Sequence, residues 1–158
     1  MKKIVIVFAL LLSTTFVVNA QSLFGVRLSG SHAYGGELSF QHNFEKKLRL
    51  ELDFGGATQA TLVNHFYTAY GVAIIQKVFP TNNKNLYWYL GAGAKGGYYM
   101  NQHDTNGMFY TVCGQIGLEY RIKAIPLQFS VDARPEFGFS DWWDDPVSLG
   151  LSVRYMFQ

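Results

Sequence analysis

The final twelve residues, Val147 to Gln158, alternate without a break. Val147, Leu149, Leu151, Val153, Tyr155 and Phe157 fall on one parity, and Ser148, Gly150, Ser152, Arg154 and Met156 on the other. A strand turns successive side chains to opposite faces, so this stretch has one wholly apolar face and one small or charged face. A helix would distribute both sets around its axis, so the pattern commits the segment to β structure.

The same pattern recurs along the chain between turn-forming residues. Leu23 to Gly30 sets Phe24, Val26 and Leu28 against Gly25, Arg27 and Ser29, and Glu37 to Phe44 sets Leu38, Phe40 and Phe44 against Glu37, Ser39, Gln41 and Asn43. Leu48 to Gly55 alternates Leu48, Leu50, Leu52 and Phe54 with Arg49, Glu51, Asp53 and Gly55. After a loop at Gly56 to His65, the fourth segment takes Tyr70, Val72, Ile74 and Val78 as its apolar parity, with Lys77 on the other. The turn Pro80 to Asn85 opens a fifth segment, in which Trp88, Leu90, Ala92, Ala94 and Tyr98 oppose Tyr87, Tyr89, Gly91, Gly93 and Lys95. A loop at Asn101 to Gly107 precedes the sixth, where Tyr110, Val112, Ile116, Leu118 and Tyr120 oppose Thr111, Cys113, Gln115, Glu119 and Arg121. Following the turn at Ala124 to Pro126, the seventh sets Leu127, Phe129, Val131, Ala133, Phe137 and Phe139 against Gln128, Ser130, Asp132, Arg134 and Glu136. The loop Ser140 to Pro146 leads into the last strand. Short turns and longer loops therefore alternate, as an up-and-down membrane barrel requires.

Charge placement sharpens this reading. Arg27, Glu37, Arg49, Glu51, Asp53, Lys77, Lys95, Glu119, Arg121, Asp132, Arg134, Glu136 and Arg154 all take the parity opposite the apolar one. The expectation is a charged lumen inside an apolar exterior, with charges that neutralise one another, because buried charges persist only when paired and hydrogen-bonded. Aromatic residues of the apolar parity sort into two belts. Phe24, Phe44, Trp88, Tyr120, Phe129, Tyr155 and Phe157 lie near one rim, and Phe54, Tyr70, Tyr98, Tyr110, Phe137 and Phe139 near the other. Such belts mark the two membrane interfaces. His42 and Gln76 are the polar residues expected on the lipid side.

The chain starts with Lys2 and Lys3, an apolar run from Ile4 to Leu12, and small residues ending at Ala20. This is the three-part pattern of a Sec-type signal peptide, so residues 1–20 are expected to be removed and residues 21–158 to form one barrel domain. Of 13 Lys and Arg, Lys2 and Lys3 leave with the signal, and the remaining 11 balance 11 Asp and Glu. No basic surface for nucleic acid is expected. Cys113 is the only cysteine, which excludes an internal disulfide.

With these features the chain resembles the small eight-stranded outer-membrane β-barrels of the OmpA transmembrane-domain and OmpX type. The resemblance implies an all-β, antiparallel, up-and-down transmembrane barrel of eight strands in the outer membrane of a Gram-negative bacterium. It also implies that Val153, Tyr155 and Phe157 form the terminal signal read by the barrel-assembly machinery, here followed by Gln158. Outer-membrane lipids and lipopolysaccharide are the implied surroundings. An interior of this size is just wide enough for side chains to fill it. The expected plug is Arg27, Arg49, Glu51, Asp53, Lys95, Glu119, Arg121, Asp132, Arg134, Glu136 and Arg154, with Tyr87, Tyr89 and Tyr99, and no open pore.

The outer-loop candidates for contact with an extracellular protein or glycan are Trp142 and Trp143, framed by Asp141, Asp144 and Asp145. Aromatic and charged residues on loops are what binding surfaces use. Rim packing of the two Trp is the competing explanation. His32, His65 and His103 have no fixed spacing, so no metal and no cofactor is expected. Cys113 reads as a packing residue of the lumen. A lipid A-modifying enzyme is an alternative, but Ser31 and His32 are adjacent, and adjacent strand residues face opposite ways. No catalytic residue is assigned. Carriage of small hydrophobic molecules is another alternative, as is a soluble secreted lipocalin-like barrel with its faces inverted.

Overall fold

The computed structural model describes residues 22–30, 34–60, 65–101, 106–122, 124–138 and 146–157. Eight strands run in chain order: β1 (Ser22–Gly30), β2 (Tyr34–Asn43), β3 (Leu48–Ala60), β4 (His65–Pro80), β5 (Leu86–Asn101), β6 (Gly107–Ile122), β7 (Leu127–Gly138) and β8 (Val147–Met156). Each pairs antiparallel with its neighbours, and β1 pairs with β8, so the sheet closes and has no edge. Closure is completed below the last rung by the Phe157 N–H donating to the Ser22 carbonyl at 3.0 Å.

One end of the barrel carries short turns. Phe44 N–H donates to the Leu48 carbonyl at 3.0 Å, and Leu127 N–H to the Ile125 carbonyl at 2.7 Å. Between Pro80 and Leu86, the Asn83 side chain accepts the Asn85 N–H at 3.1 Å and Thr81 donates to the Leu86 carbonyl at 2.8 Å, the local bonding that makes these residues turn formers. We call this the turn end and the opposite one the loop end. β4, β5 and β6 have 16 residues each, about 50 Å at the usual rise, and exceed the 9 to 11 residues a spanning strand needs. The surplus lies at the loop end. Residues 56–60, expected in a loop, continue β3 and pair with β4 as far as Ala60 opposite His65.

Seven strands have the orientation their alternation predicts. β4 is inverted. Tyr70, Val72, Ile74, Gln76 and Val78 point into the lumen, while Ile75, Lys77 and the small Gly71 and Ala73 face out; Ile74 is 0% exposed and Ile75 58%. Tyr70 therefore leaves the outer aromatic belt, Gln76 is a lumen residue, and Lys77 is not. Both parities of β4 carry large apolar side chains, so the sequence leaves its facing nearly balanced. β5 decides it. On the lumen side β5 presents Gly91, Gly93 and Gly97, where a Cβ would collide with Ile74, Gln76 and Tyr70 of β4. The β4 side chains fill the space those glycines leave.

Pro135 interrupts the β6–β7 ladder. The pairing passes from Cys113 opposite Glu136 to Ile116 opposite Ala133, skipping Gly114 and Gln115, because Pro has no N–H to donate.

Candidate functional site

The lumen is the feature these strands build together. At its turn end Glu119 is the hub. It accepts from Arg49 at 2.5 Å, from Arg121 at 2.9 and 2.6 Å, and from Gln128 at 2.6 Å. Arg49 also donates to Gln76, which in turn donates to Gln115 at 2.5 Å. Tyr89 and Tyr87 lie under the guanidinium groups of Arg49 and Arg121, 4.7 and 4.4 Å from ring centre to cation. Tyr87, Tyr89 and Arg49 thus close this level.

The middle level is organised by Glu51, which accepts from Gln41 at 2.5 Å, Gln115 at 3.0 Å, Arg134 at 3.2 Å and Arg154 at 3.0 Å. Arg154 also donates to Ser39 at 2.9 Å and Ser130 at 2.7 Å. Arg134 links upward to Asp53 at 2.6 Å and Glu37 at 3.4 Å. Arg27 bridges Glu37 at 2.8 Å and Asp132 at 2.7 Å. Above these, Lys95 pairs with Glu136 at 3.0 Å and sits 4.2 Å from the centre of the Tyr70 ring. Glu37, Glu51 and Glu119 are each shared by donors from different strands, so the network staples the barrel across its width.

All eleven charged residues expected in the lumen lie there, together with Glu37. With Lys77 outside, the set is Arg27, Arg49, Lys95, Arg121, Arg134 and Arg154 against Glu37, Glu51, Asp53, Glu119, Asp132 and Glu136. The interior is formally neutral. An ionic core without a matching counter-charge would be several kcal/mol costlier per ion. Sequence reasoning missed the apolar cluster near the loop end, where Tyr70, Val72, Ile74, Phe109 and Cys113 pack with Ala57 and Tyr99. Cys113 and Tyr99 were expected in the lumen, and Phe109, on the lumen parity of β6, was a further readable signal.

On the outside, four strands form a trough. Two rungs cross it: Phe54–Gly71–Gly96–Tyr110 and Leu52–Ala73–Ala94–Val112, running from β3 to β6. Gly and Ala make its floor and the larger residues its walls, enclosing about 410 Å³. Among the described strand residues the rest of the outward face is largely apolar, Lys77 and His42 near the turn end apart. Phe24, Leu28, Leu118, Val131, Leu149 and Leu151 are all exposed, as are the terminal-strand residues Val153, Tyr155 and Phe157. Tyr155 and Phe157 meet edge to face at 5.4 Å between ring centres. This polarity is the reverse of a lipocalin-like barrel, which keeps its charges outside, so that alternative is withdrawn.

A charged, filled interior inside an apolar, aromatic-belted closed sheet of eight strands decides the comparison. The chain has the fold of the small eight-stranded outer-membrane β-barrels. It is similar to the N-terminal β-barrel domain of Pseudomonas aeruginosa OprF, with a TM-score of 0.65 and 15% identity over 88% of this chain and 98% of that one. Neisserial surface protein A matches with a TM-score of 0.64 and 15% identity, covering 87% and 95%. Ail, the attachment invasion locus protein of Yersinia pestis, matches with a TM-score of 0.55 and 14% identity, covering 87% and 97%. No protein-family model and no curated protein matches the sequence.

The remaining candidates fall elsewhere. Trp142, Trp143, Asp141, Asp144 and Asp145 lie outside the described residues, as do Ser31, His32 and His103 and the whole of 1–20. His42 is outside the lumen, as expected, where its ring bonds to Ser22 Oγ at 2.9 Å and meets Phe44 edge to face.

Proposed function

We propose that this chain is an integral outer-membrane barrel with no open pore, exported by residues 1–20, which presents its loop end at the cell surface for contact with a partner. One observation carries the reading: twelve charged side chains balance inside the sheet while the outward face is apolar between two aromatic belts. Only a hydrocarbon surrounding rewards that arrangement. The turn end then faces the periplasm, and Val153, Tyr155 and Phe157 serve the barrel-assembly machinery. The surface role is supported by the length of β4, β5 and β6, which exceeds what crossing the hydrocarbon needs, and by the likeness in fold to two proteins named for surface location or attachment.

Ail has been solved with the heparin analogue sucrose octasulfate. That chemistry does not carry over to residues 139–145, which hold Asp141, Asp144 and Asp145 and no Lys or Arg. An uncharged glycan or a protein surface fits the Trp142–Trp143 pair better, because sulfates would meet like charge. Cell fractionation with boiled and unboiled gel samples tests the location: an outer-membrane, heat-modifiable band is expected, and a soluble protein without a shift overturns the reading. Whole cells carrying Trp142→Ala and Trp143→Ala are expected to lose adhesion to a glycan array or host-cell surface that the parent binds. Single-channel steps of porin size in planar bilayers would remove the closed-lumen part.

A further inference from the structure

Among the described strand residues, Lys77 is the charged one that lies outside the lumen. It stands on the rung Leu48–Lys77–Leu90 near the turn end, three residues before β4 ends at Pro80. Its amine lies 5.6 Å from the centre of the Phe79 ring, and Phe79 stacks on Trp88 of β5 at 4.2 Å with 13° between the planes. A lysine at the bilayer midplane would cost about 2 to 4 kcal/mol, but near the interface only about 0 to 1 kcal/mol. Trp marks that interface. A lysine in such a place can lay its stem along apolar surface and turn its amine toward the headgroups.

The surroundings are cationic. Among the described residues no ion pair joins Lys77 to a carboxylate. The Val78 N–H donates to the Lys47 carbonyl at 2.8 Å, which sets the exposed turn containing Lys46 and Lys47 directly beside it. Lys84 is exposed in the next turn, and Glu45 is the one acid among these turn residues. The lumen, being neutral, does not cancel this charge.

We propose that the β3–β5 face at the turn end binds the phosphate of an anionic glycerophospholipid, with Lys77 as the contact cation and the Phe79–Trp88 stack, two residues nearer the rim, flanking the headgroup. The inference rests on the membrane reading above and names the lipid class that surrounds this rim. A zwitterionic lipid carries its own cation and gains less from the cluster. A free phosphate ion would lack the acyl chains that bring it to this depth.

The test uses the full barrel in detergent with added phosphatidylglycerol or phosphatidylcholine, with bound lipid counted by native mass spectrometry. The parent is expected to prefer phosphatidylglycerol. Lys77→Gln should weaken that binding about fivefold, the value of one lysine at an anionic surface, and leave phosphatidylcholine unchanged. Lys77→Arg should retain it. Should Lys77→Gln fail to fold, the parent's preference must still shrink as salt rises, because the contact is exposed to screening. No preference in the parent, or a preference unmoved by Lys77→Gln, overturns the proposal. Displacement of phosphatidylglycerol by inorganic phosphate at equal concentration would also overturn it, since the site would then be a soluble anion site. Heat-modifiable folding in phosphatidylcholine vesicles separates the two levels: a folded barrel without lipid preference refutes only this inference, whereas no folded barrel refutes both.

Discussion

Arg154 of β8 places Nη2 3.0 Å from Oε2 of Glu51 on β3, joining two strands that are not neighbours and two residues 103 positions apart. Both side chains are fully buried. Such a pair contributes little relative to an apolar replacement of both, but breaking it leaves charge stranded.

Glu51→Ala is therefore expected to destabilise the barrel by about 3 to 5 kcal/mol, because it removes the shared acceptor of Arg154 and Arg134 at once. Glu51→Gln should lie between the two, since it keeps the shape and one acceptor. Reversible urea unfolding in lipid vesicles measures both, and a cost for Glu51→Ala below that of an ordinary surface change would show that the network is not stapling the strands.

The lipid face has its own test at Leu151, which is 58% exposed and pairs with Leu28 and Val131. Leu151→Arg is expected to cost about 2 to 4 kcal/mol if the site lies near the midplane. Tolerance of that change in vesicles would mean that the outward face does not meet hydrocarbon.

Two glycines should respond in opposite ways to the same added methyl. At Gly93 a Cβ would overlap the Ala73 carbonyl and the Ile74 backbone, neither of which can give way without moving β4. Gly93→Ala is expected to cost about 1 to 3 kcal/mol, as overpacking does. Gly36 has nothing within 4 Å of its Cβ position, so Gly36→Ala should be neutral or gain up to about 1 kcal/mol from the unfolded chain. Equal effects in the same unfolding assay would contradict the packing around β4 and β5.

Cys113 is buried in the lumen in one cluster with Tyr70, Val72, Ile74 and Phe109. A maleimide reagent is expected to leave the folded, unboiled band unlabelled and to label the chain once it is boiled. Rapid labelling of the folded band would show that the lumen opens to solutes of that size.

Much of this was readable from residue order. The strand period is a local property, so the alternation in β8 and β3 states the two faces wherever one parity is uniformly apolar and the other charged. In β4 the rule failed, because Ile74 and Ile75, Val78 and Phe79, offer large apolar groups to both sides. Lys77 is a poor guide to the facing of β4, because a lysine close to a rim can face lipid with its amine at the headgroups. Gln76 was the better indicator, for an amide buried in the wall has no route to water and needs partners such as Arg49 and Gln115.

By itself, the sequence determined that the chain forms alternating strands, where its short turns fall, and that its charges, Lys77 apart, gather on one face, because each of these follows from neighbours within a few positions. Tertiary structure alone decided which side of the wall β4 presents, because that depends on the space left by Gly91, Gly93 and Gly97 across the rung. It alone also decided the partners in the lumen. Arg27 meets Asp132 across 105 positions and Arg134 meets Asp53 across 81, and such pairings exist only once β1 has closed on β8 and brought distant strands within reach of one interior.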